Sequence, residues 1–113
     1  MNEIQGDQLR GHLEKLVLAT LRKGEAHGFE ILKRLEAAGA GTLRLKEGSL
    51  YPALYRLESA GLVTADWEDA QTTRRGPRRR IYRLTTKGKK RLEQSRAEWN
   101  LFVRVVGGIL GAA

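Results

Sequence analysis

Two alternating segments, LVTADWE (62–68) and RIYRLT (80–85), flank the stretch DAQTTRRGPRR, and this arrangement narrows the possible folds more than any other feature. Each segment carries β-branched or aromatic residues in the period of two that a half-buried strand requires. The Gly-Pro pair, Gly76 and Pro77, is read as the tip of the connection, so the whole reads as an antiparallel hairpin with a long loop.

The residues before the hairpin follow a different period. Leu9, Leu13, Leu16, Val17, Thr20 and Leu21 recur at helical spacing and predict an amphipathic helix over 8–23. Gly24 stops it, KGEAHG reads as a turn, and Phe29, Ile31, Leu32 and Leu35 predict a second helix over 28–38, closed by AGAG. TLRL (42–45) alternates and reads as one short strand. GSLYPALYRLESAGL (48–62) is a third helix ending at Gly61, and Thr85 or Thr86 caps a last helix that begins TKGKKRLEQ. Three helices followed by a hairpin make a winged helix-turn-helix, a mainly α fold with a small antiparallel β-hairpin. Residues 1–85 form that domain and 86–113 a C-terminal helix. The third helix is the one free to enter a DNA major groove, with the hairpin loop as a wing beside it.

Charge points the same way. The chain holds 21 Lys and Arg against 13 Asp and Glu, a formal +8. No acidic residue lies between Gln71 and Leu92, whereas Arg74, Arg75, Arg78, Arg79, Arg80, Arg83, Lys87, Lys89, Lys90 and Arg91 all do. A block of one sign repels itself unless a polyanion is near; the competing reading is a solvated loop. No apolar run approaches the roughly 20 residues of a membrane span, and the N-terminus MNEIQGDQLRGHLE lacks the layout of a signal peptide. With no cysteine, a disulfide framework and a thiolate metal site are both excluded. The expectation is a cytoplasmic protein. His12 and His27 have no spacing of a ligand set or a catalytic base, and no glycine-rich loop follows a strand, so an enzyme is not expected.

The third helix has two faces. Leu50, Ala53, Leu54 and Leu57 fall within about 100° of one another and form the inner one. Pro52, Tyr55, Arg56 and Ser59 lie opposite, with Tyr51 on the flank. With Ser49 near the N-cap, Leu50, Tyr51 and Pro52 occupy the first turn, where a proline costs little. Hydroxyls and Arg56 on such a face can donate to phosphates or base edges. The alternative for the tyrosines is packing between helix and wing.

LVLATL (16–21), HGFEILKRL (27–35), GSLYPALYRLESAGLV (48–63), Trp67 and RIYRLTTKGKKRL (80–92) together resemble the PadR family of bacterial transcriptional regulators, over about residues 9–106. The resemblance implies a homodimeric repressor on double-stranded DNA, at a pseudo-palindromic operator. It nominates Lys46, Ser49, Tyr51, Pro52, Tyr55 and Arg56 around the third helix as DNA-binding. It adds His27 and Gly28 at the start of the second helix, on a phosphate, and Arg78, Arg79 and Arg80 in the wing.

In the last helix, Leu92, Ser95, Trp99, Phe102, Val106 and Ile109 step by three and four, a seam widened by Val103 and Leu110. Such a stripe needs a cover. The chain's own first helix can provide part of it, and the resemblance adds a second subunit, with Leu92, Trp99, Phe102, Val103 and Val106 at the dimer interface. It also implies that Trp99 can line a site for a flat aromatic effector; ordinary interface packing is the alternative. Gly107 and Gly108 predict fraying after Val106. The rival class is a winged-helix module for protein–protein or RNA contacts in a larger assembly, which would explain the fold without requiring the polar outer face of 51–59.

Overall fold

The computed structural model describes residues 4, 9, 11–69 and 76–111. Its elements are α1 (Leu13–Leu21), β1 (Ala26–His27), α2 (Gly28–Ala38), α3 (Glu47–Ser59), β2 (Val63–Trp67), β3 (Arg80–Leu84) and α4 (Thr86–Leu110). The three strands form one antiparallel sheet in the order β1-β3-β2. This is a mainly helical winged helix-turn-helix with a long C-terminal helix.

The first helix starts later than its apolar spacing suggested. Gly11 takes a φ of +85°, which a right-handed helix cannot continue, so α1 begins after His12. The strand expected at 42–45 is absent as well; Leu43 makes only an isolated parallel bridge to Ile4. The third strand lies instead inside the predicted turn, where Ala26 pairs with Tyr82 and His27 with Ile81. Two residues are too few to show any period. The hairpin keeps its predicted place, with Val63 opposite Leu84 and Trp67 opposite Arg80.

Leu18, Ile31, Leu50, Leu54, Leu57, Val17 and Val63 are fully buried and knit α1, α2, α3 and β2 into one core. Each such side chain contributes roughly 1.5–3 kcal/mol on burial. Leu92, expected at a dimer interface, belongs to this core: it is 2% exposed within its own chain. Its place on the α4 wheel fits either role, and its position in the second turn brings it over α1.

The end of α3 is tied to the start of α4. Gly61, at φ +75°, closes α3 with Gly61 N–H donating to the Glu58 carbonyl at 3.0 Å and Leu62 N–H to the Leu57 carbonyl at 2.9 Å. Thr85 N–H then donates to the Leu62 carbonyl at 3.2 Å, while the Thr85 hydroxyl lies 2.8 Å from the Gly61 carbonyl and 3.0 Å from that of Leu62. The same hydroxyl oxygen accepts from Gly88 N–H at 2.9 Å, the N-cap of α4, and Lys87 Nζ donates to the Ala60 carbonyl at 2.8 Å. Gly88 is buried, and a β-carbon there would overlap the Leu62 carbonyl oxygen. At its far end α4 runs to Leu110 and stops at Gly111, φ +81°. The helix thus extends past Val106, where the sequence predicts fraying, with Ile109 and Leu110 exposed.

Gly88→Ala is therefore expected to destabilise the fold by about 1–3 kcal/mol, the cost of overpacking against backbone. Thr85→Ala is expected to cost about 0.5–2 kcal/mol through the lost cap. Urea unfolding of both variants checks this; an unchanged midpoint for Gly88→Ala would contradict it.

Candidate nucleic-acid interface

The inner and outer faces of α3 divide as the wheel predicts. Leu50, Ala53, Leu54 and Leu57 are buried, whereas Ser49, Pro52, Arg56 and Ser59 are exposed, and Tyr55 is 72% exposed. The start of the helix differs from expectation. Its N-cap is Lys46, which makes no side-chain cap, so Ser49 is the third helical residue and Pro52 the sixth. Pro52 thus lies in the helix interior, beyond the first turn, where a proline removes one intrahelical hydrogen bond.

Tyr51 and Tyr55 have parted roles. The Tyr51 ring covers the start of α2 so closely that a β-carbon on Gly28 would meet its hydroxyl at 2.6 Å. Gly28 is buried under it, so a side chain there would have to displace the half-exposed Tyr51 ring. Tyr55 remains open to solvent. Arg56 Nε lies 3.7 Å from Glu14 Oε1 in an exposed pair, worth at most about 1 kcal/mol and readily exchanged for a phosphate.

Beside α3, His27 is the N-cap of α2. Its Nδ1 accepts from Glu30 N–H at 3.2 Å, and its Nε2 is 2.9 Å from the guanidinium of Arg79. The ring thereby joins the start of α2 to the root of the wing. Arg78 donates to the Glu68 carbonyl from Nε at 3.0 Å and Nη2 at 2.8 Å, closing the hairpin, and both Arg78 and Arg79 stay exposed. Arg74 and Arg75 lie outside the described residues.

Arg80 behaves differently. It sits in β3, not in the loop, and its Nη2 is 2.8 Å from Glu58 Oε2 on α3, with its guanidinium 5.5 Å from the Trp67 ring. Both partners of the ion pair are about one-third exposed (36% and 34%). Tyr82, two residues on and so on the same side of the strand, is buried next to it, and burial pushes its phenol up while the Arg80 guanidinium opposes that shift. Together Tyr51, Tyr55, Glu58, Ser59, Arg80 and Tyr82 line a groove of about 500 Å³ between α3 and the wing. Sequence reasoning missed Glu58 and Tyr82. The period of two that puts Arg80 and Tyr82 on one side of β3 was the available signal.

Other cations of the acid-free stretch are also engaged. Arg83 faces Glu25 at 3.3 Å and Asp66 at 3.6 Å on the far side of the sheet, and Lys87 holds the end of α3. Among the described residues no cluster of His, Asp or Glu could hold a metal ion, and no helix is long and apolar enough to cross a membrane.

The outer face of α3 and the described part of the wing thus border the same groove. The family model for "Transcriptional regulator PadR-like family" matches residues 17–94, which include α2, α3, the hairpin and the first turns of α4. The chain belongs to the PadR-like family. Solved structures agree: the chain is 30% identical to a transcriptional regulator from Clostridium thermocellum, covering 93% of this chain and 96% of that one, with a TM-score of 0.81. A PadR family regulator from Clostridium difficile is 34% identical, covering 88% and 99%, with a TM-score of 0.77. One from Eggerthella lenta is 32% identical, covering 95% and 88%, with a TM-score of 0.78. No curated protein matches the chain. This is a PadR-like transcriptional regulator, of a family that regulates through DNA and is not one of enzymes.

The geometry separates the wing arginines. Arg78→Ala with Arg79→Ala is expected to flatten the log–log salt dependence of duplex binding by up to ~2 units, about 0.9 per phosphate contact. Arg80→Ala is expected to leave that slope within about half a unit, because its charge is spent on Glu58. Titrations at several salt concentrations check both; equal slopes for all variants would contradict the assignment.

Proposed function

We propose that this PadR-like regulator is a cytoplasmic, homodimeric repressor that binds a pseudo-palindromic operator through α3 and the wing, and that a flat aromatic effector relieves it at Trp99. The observation that carries the DNA reading is the solvent-facing side of α3, with Tyr55 at its centre and Arg78 and Arg79 beside it. Lys46, Ser49, Pro52 and Arg56 complete the surface that faces the major groove, and Tyr51 reaches it from the flank. In this reading His27 and the start of α2 meet a flanking phosphate, as a helix N-terminus can.

The dimer reading rests on α4. Trp99, Phe102 and Val103 are 43%, 54% and 47% exposed, and Val106 is half-buried, so the stripe continues past what the described residues of its own chain cover. An apolar groove of about 570 Å³ runs beside it, lined by Leu9, Leu16, Ala19, Leu35, Leu43 and Trp99. A second subunit covering this stripe would bring two Trp99 rings toward a two-fold axis. Each ring already has His12 edge-on at 5.5 Å and Phe102 stacked at 5.6 Å, with Lys15 Nζ 5.5 Å away. A planar ligand would add to that stack, and repositioning α4 would change the spacing of the two α3 helices.

Tyr55→Ala is expected to weaken operator binding roughly 5- to 100-fold with the melting temperature unchanged, since the side chain leaves no cavity. Loss of fold along with binding would mean that this face is inward. Sedimentation at micromolar concentration is expected to give a dimer, and an aromatic panel to quench Trp99 in a Trp67→Phe background while lowering operator affinity. A monomer would overturn the repressor dimer; a dimer without quenching would remove only the effector.

A further inference from the structure

Two residues on the exposed side of α3 weaken the helix. Gly48 is its second residue, and a β-carbon there would meet nothing within 4 Å; its φ is not positive, so the backbone does not demand glycine. Pro52 is its sixth residue, inside the helix and exposed. Glycine and proline are the two poorest helix formers.

Their spacing supplies a reason. Position 52 is four residues after 48, so Pro52 stands where an N–H would bond the Gly48 carbonyl and has none to give. Gly48, Pro52, Tyr55 and Ser59 follow the i, i+4, i+7, i+11 pattern and run along the middle of the side opposite Leu50, Leu54 and Leu57. A carbonyl released from its helical donor tilts outward on the solvent side. The Pro52 ring stands against this oxygen along the helix axis, and the missing side chain of Gly48 leaves a lateral approach beside it. Gly48 is also in the first turn, the part of a recognition helix that meets base edges.

We infer that the Gly48 carbonyl is a sequence-reading acceptor: it takes a hydrogen bond from the exocyclic amino group of a cytosine or adenine in the major groove. Those two bases alone present an amino donor there; guanine and thymine present acceptors at the corresponding position. The main chain, kept open by Gly48 and Pro52, thus does what a carboxylate side chain does elsewhere, without adding a negative charge to a surface that must approach phosphates. This rests on the proposed DNA-binding role of α3 and names the chemistry it reads.

The test combines a protein change with a base change. Pro52→Ala restores the helical N–H, and alanine favours the helix, so the fold is retained; circular dichroism checks that. Binding sites are drawn from random duplex DNA with wild type and with Pro52→Ala. The wild type is expected to prefer cytosine or adenine at one position per half-site, a preference that Pro52→Ala loses. At that position N4-methylcytosine or N6-methyladenine then replaces the ordinary base, which keeps the pairing hydrogen and blocks the one in the groove. The loss on methylation is expected to be roughly three- to tenfold larger for wild type than for Pro52→Ala. Gly48→Ala is expected to weaken specific binding while its salt slope stays that of wild type. If wild type draws a motif that Pro52→Ala draws unchanged, or the methylation losses are equal, the carbonyl readout is wrong and the DNA role of α3 stands. If wild type draws no motif, both fall together.

Discussion

The arrangement hangs on the carbonyls that end α3. Gly61 and Leu62 present theirs to Thr85, whose hydroxyl also caps α4, and Gly88 has no side chain because the Leu62 carbonyl occupies the space. One turn of chain therefore sets the angle between the helix proposed to read DNA and the helix proposed to form the dimer. Any rotation of α4 must strain these bonds or carry α3 with it. That would be the physical route from the effector site proposed at Trp99 to the proposed DNA surface, and it needs no moving loop.

The charges on the surface are ordered by the same logic of partners. A run of cations with no acid in it looks uniform in sequence, but Arg80 neutralises Glu58, Arg83 meets Glu25 and Asp66, and Lys87 caps the end of α3. Arg80 in particular joins α3 to β3, which ties the root of the wing to the helix. Without it Glu58 would place an uncompensated carboxylate beside Tyr51 and Tyr55, on the surface proposed to meet phosphates.

Much of this was legible from residue order. The bounds of α2, the strands of the hairpin and the Thr85 cap follow from signals that act within a few residues: a run of apolar spacing, a two-residue period, a hydroxyl before a helix. The division of α3 into inner and outer faces was legible for the same reason. What escaped depended on the far chain. Ala26 and His27 become a strand only because Tyr82 and Ile81 pass beside them, and Leu92 joins the core only because α4 crosses α1. The start of α3 was misjudged because Ser49 looks like a cap, whereas Lys46 holds the extended backbone that precedes the helix. The wing tip, with Arg74 and Arg75, lies outside the described residues, and its reading stays where the sequence left it.

The central claim is that the exposed side of α3 lies in a major groove, twice, in a symmetric complex. Because the chain has no cysteine, Ser59→Cys can carry a single DNA-cleaving iron chelate on that side, with Glu36→Cys on α2 as the control. On a selected operator the account predicts two compact cleavage clusters from Ser59→Cys, about 10 base pairs or a whole multiple of that apart, and none from the control. Diffuse cleavage from Ser59→Cys, or clusters as sharp from Glu36→Cys, would contradict it.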